Sequence, residues 1–182
     1  MTAVARAVTA AAPTSDRIAE LFRQHYAWVW RLIRRLGVDP GQVDDVAQQV
    51  FLIANDKLPQ IEPGRERAFL AAVAQRTSAN ARRGLGRRKD TADESEIARS
   101  SSDGTPEQLL DWKQRRATLD TWLDALPESL RTPFVLFELE GHSLQEIAEI
   151  LEQPVGTVKT RLRRARALFV EAAGLAQGGG EP

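Results

Sequence analysis

Apolar residues recur along this chain at the three-and-four spacing of an α-helix, and almost nowhere in the strict alternation of a strand. Ile18, Leu21, Phe22, Val29, Leu32, Ile33 and Leu36 form the first such stripe, and Gly37 is a natural stop. Asp39-Pro40 then gives an N-cap residue followed by proline at the first helical position. The next stripe is cleaner: Val43, Val46, Ala47, Val50, Phe51 and Ala54 fall on one face. Pro59 and Pro63-Gly64 mark a loop, after which Phe69, Leu70, Val73, Ala74 and Thr77 line a third helix. These three pieces predict one compact helical domain over residues 15–83.

Residues 84–106 read differently. Gly84, Gly86, a basic run, a set of acids and Ser100-Ser101-Ser102-Asp103-Gly104 offer little apolar surface to offset the entropy of ordering, so a flexible linker is expected. Thr105-Pro106 restarts helix with a second cap-plus-proline pair, followed by Leu109, Trp112, Leu119, Leu123 and Leu126 at helical spacing. Pro127 breaks that run, and a helix through Leu130, Phe134 and Phe137 should end at Gly141.

Ser143 and Glu146 then have the S-x-x-E spacing of a capping box, opening a short helix whose buried face is Leu144, Ile147, Ala148 and Leu151. Ala148 is small enough to let a second helix cross closely. Pro154 starts that second helix, in which Val155, Val158, Leu162, Ala165 and Phe169 point inward. Thr157, Lys159, Thr160, Arg163, Arg164 and, in part, Arg161 are left outward. A helix laid in a major groove offers its first residues to base edges and its flanks to phosphates. Thr157, Lys159 and Thr160 suit the first task; Arg161, Arg163, Arg164 and Arg166 suit the second. A basic surface helix with no ligand is the plain alternative for the arginines alone. The capped short helix, tight turn and basic second helix together favour DNA.

The second domain is therefore expected over residues 107–172, with Ala-rich residues 1–14 and Gly-rich residues 173–182 as disordered tails. The fold class is all-α: two small helical domains joined by a flexible linker, the second containing a helix-turn-helix.

Net charge is zero, yet the charges are segregated. Residues 159–166 hold Lys159, Arg161, Arg163, Arg164 and Arg166 without an acid, and residues 76–89 hold Arg76, Arg82, Arg83, Arg87, Arg88 and Lys89, again without one. Local patches set the field that a phosphate backbone meets. The apolar part of the first residues is broken by Arg6, Thr9 and Pro13, unlike a signal peptide, and no run of eighteen apolar residues occurs. There is no cysteine, and His25 and His142 stand alone, so no disulfide, metal site or cofactor is expected. His142 reads as a turn residue and His25 as structural. No Ser/His/Asp set, Walker-type glycine loop or metal-spaced carboxylate group is present, so neither a catalytic site nor a small-molecule substrate is expected. A cytoplasmic location follows from the same features. Trp28 and Trp30 lie off the main stripe, to pack on a second face or to meet an inhibitor; Trp112 and Trp122 belong near the second core.

Three stretches of the second half resemble the C-terminal DNA-binding domain of extracytoplasmic-function (ECF) sigma factors. They are Leu126-Pro127-Glu128 through Phe137; Gly141-His142-Ser143-Leu144-Gln145-Glu146-Ile147-Ala148; and Pro154 through Arg166. In the first half, Asp44-Asp45-Val46-Ala47-Gln48-Gln49-Val50-Phe51 resembles that family's polymerase-docking helix. With Val46, Ala47, Val50 and Phe51 turned to their own core, Asp44, Asp45, Gln48 and Gln49 face outward. Carboxylates and amides there can meet a partner's Arg and Lys.

The resemblance, which covers roughly residues 16–172, implies a sigma factor. It would bind core RNA polymerase, read the minus-35 element of promoter DNA with the second domain, and promote melting at minus-10. Arg67–Arg83 resembles the promoter-opening helix, and the loop over about residues 56–66 would hold a flipped-out base. Arg76, Asn80, Arg82 and Arg83 would contact the minus-10 strand. Arg76 stands where the family commonly has Asn, Asn80 where Asp is common, and Glu152 where Gly is frequent. The family also implies an anti-sigma factor as a partner, one that can hold the protein at the membrane and away from the nucleoid. Two other functions remain open from the residues alone: a conventional helix-turn-helix regulator that binds DNA without polymerase, and an accessory fragment of a recombinase or transposase.

Overall fold

The computed structural model describes residues 14–85 and 106–178; residues 1–13 of the expected N-terminal tail, 86–105 of the expected linker and 179–182 of the expected C-terminal tail lie outside them. Among the described residues the secondary structure is wholly helical. The first domain holds α1 (Thr14–Arg35), α2 (Val43–Lys57) and α3 (Glu66–Leu85), the last including Gly84. The second holds α4 (Pro106–Asp124), α5 (Glu128–Phe134), α6 (Leu144–Leu151) and α7 (Val155–Gly178), the last running beyond residue 172.

α1, α2 and α3 pack pairwise around one core. All six residues of the α2 stripe are buried, as are Val29, Leu32 and Ile33 of α1. Truncating Leu32 to Ala would cost about 2–5 kcal/mol, the range for a fully enclosed leucine. Phe22 is the exception among the striped residues. It is 43% exposed, because its ring stacks on Tyr26 and Phe51, with centroids 4.7 and 4.9 Å away, and leaves its other face to solvent. Asp39 does cap, accepting from the Gly41 N–H at 3.0 Å, but it opens a single 3₁₀ turn (Pro40–Gln42) ahead of α2.

In the second domain α4, α5 and α6 all rest on α7. Val158, Leu162 and Ala165 are buried, and Phe169 lies edge-on to Trp122 and against Phe134. The helix expected to run evenly to Gly141 instead widens into a π turn over Val135–Leu139. The Glu140 N–H bonds to the Val135 carbonyl, one residue further back than in an α-helix. Apolar spacing carries no mark of such a turn.

The two domains touch. α3 packs on α6, and Gly37, at the end of the first domain's α1, sits under the Arg131 side chain of α5. Its φ is +83°, which favours glycine, and a Cβ there would meet that guanidinium at 1.8 Å unless the arginine side chain moved. Among the described residues, every ion pair across the boundary has its base in the first domain and its acid in the second. Arg34 meets Asp120 (3.5 Å), Arg35 and Arg67 meet Glu140 (2.7 and 3.4 Å), and Arg65 meets Glu149 (3.1 Å). Arg76 meets Glu152 (3.7 Å) and Arg82 meets Glu128 (2.5 Å).

Candidate functional site

The capping box forms as its spacing predicts. Ser143 Oγ accepts from the Glu146 N–H at 3.2 Å, and Glu146 Oε2 accepts from the Ser143 N–H at 2.8 Å. That backbone hydrogen bond, with help from the Ser143 hydroxyl, holds the Glu146 carboxyl below its ordinary range. Ile147 and Ala148 are buried and Leu144 and Leu151 half-buried; Ile150 is buried too, which the stripe did not include. The turn into α7 passes through Glu152 in the left-handed region, φ +53°. A side chain there costs about 1–2 kcal/mol relative to glycine. The Pro154 carbonyl takes the Thr157 and Val158 N–H groups, so proline sits just before the first helical residue.

α7 presents its outward face as expected. Lys159, Arg163 and Arg164 are exposed and have no ion pair among the described residues. Thr157 is half-buried near the N-terminus. The Thr160 hydroxyl donates to the Gly156 carbonyl at 3.0 Å. Arg161 donates to Gln153 Oε1 at 2.7 Å, which braces the turn. Arg166 pairs with Glu138 at 2.5 Å and lies over the Phe137 ring, so it is turned toward its own domain.

On α2, Asp44, Asp45, Gln48 and Gln49 are all exposed. Asp44 Oδ1 is held by the Tyr26 hydroxyl (2.9 Å) and Trp30 Nε1 (3.1 Å). Asp45 and Gln48, with Phe22, Tyr26, Phe51 and Leu52, line an open groove of about 500 Å³ between α1 and α2. Leu52 is 59% exposed. The groove thus joins an apolar floor to an acid-and-amide rim, which suits a helical partner with basic side chains. Gln49 lies outside it. The rim was expected from the sequence and the apolar floor was not, although Ile18, Phe22 and Tyr26 recur at i, i+4, i+8 on one helix face.

α3 is less open. Arg76 and Asn80 are exposed, but Arg76 faces Glu152, and Arg83 donates to Asn80 Oδ1 at 2.6 Å. The Arg82 side chain is only 17% exposed; it donates to the Leu36 carbonyl as well as to Glu128. In the loop before α3, Leu58 and Ile61 are buried.

His142 is buried in its turn, with no hydrogen bond to Nε2. Burial lowers its pKa, outweighing the pull of Glu146 and Glu140. Burial also lowers that of His25, which lies edge-on to Trp28. Trp28 is buried at the domain boundary, donating to Glu140 under the Arg67 guanidinium. The Trp112 side chain lies outside the described residues. No group of three or more His, Asp or Glu among the described residues could hold a metal ion, and no described helix is long and apolar enough to cross a membrane.

Residues 21–88 match the family model for Sigma-70 region 2, and residues 116–169 that for Sigma-70, region 4. The ECF RNA polymerase sigma-E factor of Escherichia coli strain K12 is 34% identical over 140 residues, covering 71% of this chain and 72% of that protein. The chain belongs to the ECF RNA polymerase sigma factors. The ECF sigma factor SigE of Mycolicibacterium smegmatis is 32% identical over 158 residues; the match spans 86% of this chain and 60% of the relative. Two solved structures share the fold with a TM-score of 0.65. CnrH, in complex with the cytosolic domain of CnrY, is 23% identical over 88% of this chain and 90% of its own. RpoE of Bartonella quintana, in complex with the anti-sigma factor NepR, is 20% identical over 87% and 98%. In this sigma factor the region 2 match contains the α1–α2 groove and α3, and the region 4 match contains the helix-turn-helix.

Proposed function

We propose that this chain initiates transcription: it docks core RNA polymerase through the α1–α2 groove and reads promoter DNA with α7. The observation that carries the reading is the pairing of two different surfaces on one chain. One is an apolar groove with an exposed Asp45–Gln48 rim; the other is a cationic helix face on which Lys159, Arg163 and Arg164 are exposed and have no ion pair among the described residues. A DNA regulator needs only the second.

In this reading Thr157, Lys159 and Thr160 meet base edges of the minus-35 element, while Arg161, Arg163, Arg164 and Arg166 meet phosphates. Asp44, Asp45, Gln48 and Gln49 contact the polymerase. Arg76, Asn80, Arg82 and Arg83, with the loop before α3, engage the minus-10 strand, where a positive groove and a base pocket suit unpaired DNA. The two working units are residues 15–83 and 107–172. The protein contributes binding and strand trapping and makes no covalent bond, so it is not an enzyme. It works in the cytoplasm, at the nucleoid. An anti-sigma factor restrains it and can hold it at the membrane; the complex of RpoE with the anti-sigma factor NepR supports such a partner.

The test is reconstitution. With core polymerase the native protein should direct run-off transcription from its promoter. The Asp45→Arg, Gln48→Ala double variant should fail to co-purify with core while keeping its helical circular dichroism. Retained co-purification would remove the groove from the docking surface.

A further inference from the structure

Asp44 and Asp45 are neighbours in the first turn of α2, and both are exposed at the rim of the same groove. Their surroundings differ. Asp44 Oδ1 accepts two hydrogen bonds from α1, one from the Tyr26 hydroxyl at 2.9 Å and one from Trp30 Nε1 at 3.1 Å. The Asp45 carboxylate makes no hydrogen bond or ion pair among the described residues.

The two donors sit one helical turn apart on α1 and converge on a single oxygen. Each is carried by a half-buried ring with contacts of its own. Tyr26 packs on Phe22 and Phe51, with ring centroids 4.7 and 6.1 Å away, and the Arg116 guanidinium lies 5.8 Å from the Trp30 centroid. An exposed aspartate otherwise samples several rotamers, and ordering it on association subtracts from affinity. Two hydrogen bonds to Oδ1 order Asp44 in advance and leave Oδ2 for a partner. Asp45 can therefore take both arms of a guanidinium fork, and Asp44 a single N–H at a fixed place. As a brace alone the tie would add modestly, since α1 and α2 already share one buried core.

We propose that Tyr26 and Trp30 are positioning residues for polymerase docking. Acting through Asp44, they hold its carboxylate in one orientation beside the open carboxylate of Asp45, so that the pair meets two basic side chains of the polymerase. This rests on the reading of the α1–α2 groove as the docking surface.

Tyr26→Phe removes the hydroxyl and keeps the ring. In the full chain it should weaken binding to core polymerase, titrated by fluorescence anisotropy, about three- to tenfold, the factor for ordering one side chain on association. Thermal melting should change little. Asp44→Ala should weaken binding at least as much, and adding Tyr26→Phe to it should cost nothing more, because the hydroxyl acts through that carboxylate. Unchanged affinity in Tyr26→Phe overturns the proposal, as does a full additional loss in the double variant. A lower melting temperature with native affinity would make the tie a brace and overturn it as well. So would tighter binding, which would show α1 competing with the polymerase for Asp44. If Tyr26→Phe loses helicity, Trp30→Phe tests the second donor, with the same loss expected. The docking reading fails separately. Retained co-purification of the Asp45→Arg, Gln48→Ala variant refutes the groove, whereas its loss beside native affinity in Tyr26→Phe refutes the positioning alone.

Discussion

α3 and α7 each carry a run of arginines, and in sequence the two runs look alike. In the folded chain they are in opposite states. Lys159, Arg163 and Arg164 are exposed and have no ion pair among the described residues, whereas Arg76 and Arg82 face Glu152 and Glu128 of the other domain. The difference arises where each helix sits. α7 turns its apolar stripe into its own domain and leaves Lys159, Arg163 and Arg164 exposed. α3 lies at the boundary and packs on α6. Charge is therefore a property of the residue, and availability a property of the contact.

The comparison is sharpest at Arg82. Its guanidinium holds the Leu36 carbonyl and Glu128 from a nearly enclosed position, so Arg82→Ala should lower stability by about 1.5–3 kcal/mol, the range for hydrogen bonds to charged groups. Arg163→Ala, on the open face, should change it by less than about 0.5 kcal/mol. Urea denaturation of the two variants compares them, and equal losses would erase the distinction.

The boundary should also respond to acid. His142 has its pKa lowered by burial from 6.5, so the folded state resists the proton that the unfolded state takes up. Its contribution to stability is complete above pH 6.5 and falls as pH drops through and below that value, with a slope of at most about 1.4 kcal/mol per pH unit. His25 acts in the same direction. His142→Gln should flatten the loss seen between neutral pH and the onset of carboxylate protonation; an unchanged slope would assign it to His25 instead. A smaller effect is expected at Glu152. Replacing this left-handed residue with glycine relieves strain, for a gain of about 1 kcal/mol, less a few tenths for the exposed pair with Arg76. Thermal melts would show it, and a lower melting temperature would mean that the ion pair outweighs the backbone.

What could be read from the sequence follows the range of the interaction. The α2 stripe from Val43 to Ala54 and the Ser143–Glu146 box depend on neighbours three and four residues away, and both formed as spaced. The inward stripe of α7 did so as well. Phe22 shows the limit of that reasoning, since periodicity selects a face but does not distinguish a core from the wall of a groove. Glu140 and Trp28 lie 112 residues apart, and no local pattern joins them. The same holds for Arg82 with Glu128: its basic neighbours pointed to nucleic acid, and only the domain contact revealed its partner. The π turn over Val135–Leu139, just before Glu140, left no trace in apolar spacing either.

The contrast between the two helices is tested most directly by the salt dependence of duplex DNA binding by the chain without polymerase. Each phosphate contact contributes about 0.9 to the slope of log affinity against log salt. Arg163→Ala and Arg164→Ala should each flatten that slope by about this amount, while Arg76→Ala and Arg82→Ala should leave it unchanged. Equal flattening by the α3 variants would show that their arginines already reach the backbone, and would contradict the account.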